Sequence, residues 1–320
     1  MKILITGGCG YVGSVLVPKL IHDGHTVTVI DAQWFGNYLK LDDQLEVKKQ
    51  QISQIVEADL IGVDCVIHLA NIANDPSVDL NPVLSWEVNA LHTTQLLELC
   101  KRVKIKKFIY ASSGSVYGVK DEENVTEDLS LVPISTYNKT KMVTERVCLS
   151  YRDFFDVYCI RPATVCGISP RMRFDVVVNM FVLQAFTKGQ IVVLGGQQIR
   201  PNIHIDDMAR VYQHFLTENN IQSGCYNAGF ENLKVSEIAE KVAEILDCRI
   251  VLKESNDPRS YRQDSQKLLS TGFNPKKNVN NAINEIHTSL SRGELTDRPE
   301  AHTVEWMKKN NFGRMVNSGT

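Results

Sequence analysis

The sequence predicts an α/β fold: a doubly wound parallel sheet with a smaller C-terminal lobe. Three observations predict it. Short β-branched runs alternate with longer helical patterns through the first half of the chain. Those runs are apolar on consecutive residues, as strands covered on both faces require. The first of them opens directly into a glycine-rich turn followed by a helix with one apolar face.

Strands are expected at residues 2–6, 26–30, 65–69 and 108–111, and helices over 12–22 and 84–102. In the first helix Val12, Val15, Leu16 and Leu20 share a face, Gly24 suits the helix end, and Pro18 is an interior residue expected to kink it. After about residue 165 the alternation loosens. Pro170, Pro201, Pro258 and Pro275 punctuate shorter elements, and residues 236–246 read as one helix. The expected organisation is a sheet domain over 1–165, with some later segments returning to it, and a second lobe over 166–320.

Composition narrows the function classes. With 43% hydrophobic and 22% charged residues, the 320-residue chain can bury a sizeable core. Its 35 basic and 37 acidic residues are intermixed, and no basic block reads as a nucleic-acid footprint, so nucleic acid is not an expected partner. Eight cysteines stand singly, none at C-x-x-C spacing, which argues against disulfides and zinc and for a reducing compartment. The histidines show no H-E-x-x-H spacing, and no metal is expected. Residues 1–6 lack a signal-peptide pattern, and the apolar run 176–186 is broken by Asn179 and Gln184 and is too short to span a bilayer. A cytoplasmic protein without membrane attachment is the expectation.

The first strand ends in Thr6-Gly7-Gly8-Cys9-Gly10-Tyr11-Val12-Gly13, with glycines at the G-x-x-G-x-x-G positions Gly7, Gly10 and Gly13. Glycine lets the backbone turn tightly and approach a pyrophosphate, whose charge then lies on the next helix's N-terminus. Strand before, helix after and Asp31 at the end of the second strand complete the context for a Rossmann-type dinucleotide site, with Tyr11 and Val12 inside its loop. Asp31 can accept from ribose hydroxyls and would repel a 2′-phosphate, so NAD is expected over NADP.

Tyr137 and Lys141 are four residues apart, hence one helical turn from each other on one face. A phenol that ionises near about 10 is a poor base at neutral pH. An ammonium beside it is expected to lower that value. The spacing alone fits a half-buried aromatic beside a solvated lysine better. Upstream, the strand at 108–111 runs into Ser112-Ser113-Gly114-Ser115-Val116-Tyr117-Gly118. Ser113, at the C-terminal end of a parallel strand, can hydrogen-bond a reacting oxygen near Tyr137, or serve simply as a turn or cap. His68, in an otherwise apolar strand, reads as structural.

The order TGGCGYVG, VIHLAN, SSGSVYG, YNKTK and RPATVCG resembles the extended short-chain dehydrogenase/reductase family of nucleotide-sugar epimerases and dehydratases. The resemblance covers nearly the whole chain. It implies Tyr137 as base, Lys141 as its partner and ribose ligand, and Ser113 as ligand of the substrate hydroxyl. It places Leu69, Ala70, Asn89, Ala111 and Pro162 near the cofactor. Asn71 stands where the family's usual H-L-A-A run ends, and Gln51 where an acid near the adenine amine is usual. A homodimer is also implied, joined through helices near 84–102 and 137–149 in a four-helix bundle.

Family dehydratases resemble one another in carrying Thr-Asp-Glu where this chain has Ser113-Gly114-Ser115. Gly114 and Ser115 have no group that titrates near neutral pH, so dehydration is not expected. The resemblance leaves oxidation at C4 of a nucleotide-diphosphate sugar, as a 4-epimerase or a 4-dehydrogenase, with Ser115 and Thr164 among the sugar contacts. Residues 163–173 are similar to GDP-heptose 4-dehydrogenases of the family. Arg200, in the segment 200–207, and Arg259, in 257–262, match family arginines that contact the phosphates of the sugar nucleotide. Asn179 is a further substrate-contact candidate because it breaks an apolar run, and Arg171 and Arg173 either cap the pocket or are solvated. A non-catalytic NAD-responsive binding protein and an NADP-dependent carbonyl reductase are the alternatives.

Overall fold

The computed structural model describes residues 1–255 and 260–312. Twelve strands are found among them: β1 (Lys2–Thr6), β2 (Thr26–Asp31), β3 (Leu45–Lys49), β4 (Cys65–His68), β5 (Lys107–Ala111), β6 (Asp156–Pro162), β7 (Thr164–Cys166), β8 (Gln190–Leu194), β9 (Ile199–His204), β10 (Gly224–Ala228), β11 (Glu231–Lys234) and β12 (Arg249–Lys253). Seven of them form one parallel sheet in the order β10-β6-β5-β4-β1-β2-β3. The four expected strands are present within one residue of their predicted ends. Ile3, Leu4, Ile5, Val66, Ile67, Phe108 and Ile109 have no exposure, as central strands covered on both faces should.

Helix Gly13–His22 buries Leu16, Val17 and Leu20 on the sheet and runs unbroken through Pro18. Helix Ile205–Thr217 joins the same hydrophobic cluster through Met208, Tyr212 and Phe215. On the opposite face Leu96 and Leu97 of helix His92–Val103 pack with Phe108 and Tyr110. Winding reverses between β1 and β4, the place where open α/β sheets leave a crevice. The later part of the chain gathers helices Val177–Lys188, Val235–Leu246 and Val279–Ser291 around Phe181, Val182, Ile238, Ile283 and Ile286. Two small sheets, β11-β9-β7 and β12-β8, flank them.

Two features depart from the sequence expectation. The helix expected over 84–102 is Pro82–Trp86 and His92–Val103, joined by a π-helical turn over Glu87–Leu91. That turn directs Asn89 inward. Its Oδ1 accepts from the Ile72 N–H at 2.8 Å, and its Nδ2 donates to the Ile72 carbonyl at 3.1 Å and to Thr140 Oγ1 at 3.2 Å. The second departure is a C-terminal helix, Thr303–Lys309, that returns to the sheet domain. Trp306 Nε1 donates to the Trp34 carbonyl at 2.7 Å, and the rings of Trp34 and Phe312 stack 5.2 Å apart.

Candidate active site

The C-terminal ends of the central strands open on one crevice of about 670 Å³. One wall is the glycine turn. A Cβ on Gly7, whose φ is +74°, would lie 2.5 Å from the Ala70 nitrogen, and one on Gly13 would lie 2.4 Å from the Gly8 carbonyl oxygen. Only glycine closes the turn this tightly. Val12, at the cap of helix Gly13–His22, brings no side-chain oxygen, and the first turn holds no acid. Val12 and Gly13 at that end line the crevice, where a helix N-terminus favours an anion. Gly10 and Tyr11 also line it, though the Tyr11 hydroxyl turns away to donate to the Gly167 carbonyl at 2.7 Å.

Asp31 ends β2 at the crevice edge. Its carboxylate accepts from the Cys9 N–H at 3.0 Å and the Gln33 N–H at 2.6 Å. Burial pushes its pKa up, and those two donors pull it back. Gln51 lies at the same end; Leu69, Ala70 and Asn71 form the floor beyond β4, and Ala111 and Pro162 continue it. A dinucleotide fits this wall. Both polar atoms of the Asn71 amide and the Nε of Arg171 are buried without a protein partner, beside a helix end suited to a pyrophosphate. Arg171 is 4% exposed, lies 4.0 Å over the Phe35 ring and donates to Thr303 Oγ1 at 3.3 Å. Burial lowers its pKa to about 10.

The remaining expected groups meet opposite the glycine turn. Ser135 caps helix Thr136–Leu149, accepting from the Asn138 N–H at 3.1 Å. The helix thereby starts one residue before Tyr137, and Lys141 follows a turn later. Tyr137 and Ser113 line the crevice together; burial, the larger effect, pushes the phenol up to about 12, and the neighbouring Ser113 acts to lower it. Lys141 Nζ lies 5.8 Å from the Tyr137 ring, and burial brings it down to about 7. Ser113 and Arg173 act to lower the phenol, but desolvation outweighs them in the protein alone, so the net shift is upward rather than the lowering expected. Ser113 both caps the turn Gly114–Tyr117 and lines the crevice. His68 is fully enclosed between Thr6 Oγ1 at 2.6 Å and Thr93 Oγ1 at 2.8 Å, and burial lowers it to about 3.

Ser115, Thr164 and Arg200 line the crevice as well. Asn179 does not. It is fully buried, its oxygen accepting from the Gly167 N–H at 3.0 Å while its amide donates to the Arg173 carbonyl at 2.8 Å and Tyr11 Oη at 2.9 Å. A polar residue in an apolar helix is here a buried clamp on the 167–173 loop. Asn89 likewise lies beneath the crevice, tying its floor to the Tyr137 helix. Arg259 lies outside the described residues. Arg173 is paired bidentately with Asp175 at 2.9 and 3.0 Å, and both line the crevice. Sequence reasoning missed Trp34, Phe35, Asp75, Tyr261, Thr303 and Met307 in the lining. The one local signal was the aromatic pair Trp34-Phe35 in a short loop after β2.

A doubly wound sheet that brings a glycine turn, a strand-end acid and a Tyr-x-x-x-Lys pair to one crevice defines a dinucleotide-binding protein of the short-chain dehydrogenase/reductase type. The chain matches the NAD dependent epimerase/dehydratase family over residues 3–229 and belongs to it. Among curated relatives, UDP-glucuronic acid decarboxylase 1 of Danio rerio is 29% identical over 306 residues, spanning 91% of this chain and 73% of the relative. A UDP-glucose 4-epimerase of Lactobacillus helveticus is 26% identical over 316 residues, spanning 88% and 95%. Among solved structures, the UDP-glucuronic acid 4-epimerase of Bacillus cereus, in complex with UDP-glucuronic acid and NAD, superposes with a TM-score of 0.81 at 28% identity, covering 91% of this chain and 99% of that one. The UDP-glucose 4-epimerase of Thermotoga maritima with UDP-glucose gives 0.83 at 25% identity, covering 92% and 100%.

Proposed function

We propose that this protein is an NAD-dependent enzyme that oxidises the C4 hydroxyl of a nucleotide-diphosphate sugar, as a 4-epimerase or a 4-dehydrogenase. The observation that carries the reading is that Tyr137, with Ser113 beside it and Lys141 one turn away, lines the same crevice as the glycine turn and Asp31. Bound NAD supplies the hydride acceptor, and its positive ring favours an ionised phenol beside it. The chain's own work is positioning and proton transfer. Tyr137 takes the C4 hydroxyl proton, Ser113 orients that oxygen, and Lys141 holds ribose and phenolate. Asp31 accepts from the adenosine ribose, and Arg171 meets the pyrophosphate. Arg200, on the far wall, is suited to the phosphates of the sugar nucleotide. In this reading residues 1–165 hold the cofactor and most of 166–320 the nucleotide sugar.

Dehydration is disfavoured by more than residue type. A Cβ on Gly114 would lie 2.4 Å from Gln263 Nε2 and 3.1 Å from the Pro162 carbonyl, so a side chain there points into packed protein. A homodimer through the paired helices is supported by Val83, Trp86 and Leu91, which stay 55%, 37% and 54% exposed along one helical stretch. Among the described residues no helix is long and apolar enough to cross a membrane. A cytoplasmic location goes with the eight free cysteines.

The test is to incubate the NAD-loaded protein with UDP-, GDP-, CDP- and dTDP-hexoses while following NADH absorbance and product configuration. Inversion at C4 without accumulating NADH identifies an epimerase, and NADH formed with a 4-keto sugar a dehydrogenase. A 4-keto-6-deoxy product contradicts the reading. So does NAD binding without turnover of any of these sugars, which is what a binding protein would give.

A further inference from the structure

Ser113, which lines the crevice with Tyr137, already has its hydroxyl proton committed. Ser115 Oγ donates to Asn138 Oδ1 at 2.6 Å. That uses its single proton, so the proton in the 2.7 Å contact between the two serine oxygens belongs to Ser113. Ser113 Oγ also accepts from the Ser115 N–H at 3.2 Å. What Ser113 leaves for a partner in the crevice is a lone pair, which accepts a phenol O–H and repels a phenolate. The chain from Ser113 through Ser115 therefore runs one way and ends on Asn138, a side chain 1% exposed.

An amide can serve such a chain in both directions. Turned about its Cβ–Cγ bond, Asn138 presents its NH₂ in place of its oxygen. It then donates to Ser115, Ser115 donates to Ser113, and the Ser113 O–H points at a phenolate. No covalent bond changes; three groups rotate. We propose that Asn138 is a positioning residue that selects, through Ser115, whether Ser113 meets Tyr137 as acceptor or as donor. The proposal rests on the reading of Tyr137 and Ser113 given above.

Other groups also act on Tyr137. Lys141 comes from its own helix, and Asp75, Tyr261 and Arg173, the last paired with Asp175, face it across the crevice. Tyr110 of β5 and Tyr212 of helix Ile205–Thr217 complete the set. None of them is altered in the variants below.

The test reads Tyr137 directly in the NAD-loaded protein, as the phenolate absorbance present in a variant and lost when Tyr137→Phe is added, followed against pH. Asn138→Ala removes the acceptor, so Ser115 and then Ser113 turn their protons toward Tyr137 and the midpoint falls below that of the unaltered protein. Asn138→Asp fixes an acceptor at the end of the chain, and the midpoint rises by about one pH unit. Adding Ser115→Ala to either variant brings both to one midpoint. Shifts of the same sign, no shift, or shifts that persist without Ser115, as a through-space effect of the Asp charge would, overturn the proposal. If Asn138→Asp does not fold, Asn138→Ala with and without Ser115→Ala carries the same sign test. Turnover of Tyr137→Phe alone judges the base assignment separately.

Discussion

Lys141 Nζ donates to the carbonyl oxygen of Ala111 at 2.6 Å, tying the Tyr137 helix to the last residue of β5. The ammonium also lies 5.0 Å from the Tyr110 ring, and its burial lowers its pKa from 10.5 to about 7. The same enclosure that positions Lys141 thus opposes its charge.

Stability follows from that shift. Between about pH 7 and 10.5 the unfolded chain holds more protons on Lys141 than the folded one, so this residue's contribution rises with pH across the window. Below it the penalty is complete. Lys141→Met is expected to melt at a higher temperature than the unaltered protein at pH 6 without NAD, with the gap closing toward pH 10. A gap that widens as pH rises contradicts the assignment.

Asp31 is held by the Cys9 and Gln33 N–H groups and faces the crevice as an acceptor. Asn at this position keeps the shape and loses the charge. Asp31→Asn is expected to weaken NAD binding about tenfold, the scale of one charge-assisted hydrogen bond, and to narrow the preference for NAD over NADP. Fluorescence titration with each dinucleotide checks it; an unchanged preference would place the ribose elsewhere.

Glu145 and Arg161 form a buried pair behind the site, with Arg161 Nε at 2.9 Å and Nη2 at 2.6 Å from the carboxylate. Ser112 Oγ donates to the same carboxylate at 2.8 Å, so the pair joins β5, β6 and the Tyr137 helix. Glu145→Ala leaves an enclosed guanidinium uncompensated and is expected to cost about 3–5 kcal/mol, read from denaturant unfolding. Glu145→Met with Arg161→Met removes both charges and is expected to recover much of that loss.

How much was legible in the sequence depended on how local its cause is. Strands β1, β2, β4 and β5 announce themselves because enclosure on both faces demands unbroken apolar runs. β3 does not: Leu-Glu-Val-Lys-Lys lies at the sheet edge, with Glu46 and Lys49 exposed, and carries little apolar signal. The glycine turn was readable because its contacts need glycine at fixed spacing. The Thr303–Lys309 helix was not, since its partner Trp34 lies more than two hundred residues away. Asn179 misled for a physical reason. A polar residue within an apolar stretch signals a buried hydrogen-bond demand, and only the structure shows whether ligand or backbone meets it. The Tyr137 pKa was misjudged because charge proximity can be read from spacing, whereas the larger cost of burial cannot.

The central claim is that Tyr137 moves the sugar's C4 hydroxyl proton. Its most direct test is turnover of Tyr137→Phe, loaded with NAD, on whichever sugar nucleotide the unaltered protein converts. A loss of about a thousandfold with NAD affinity unchanged is predicted. Turnover within tenfold of the unaltered protein would contradict it.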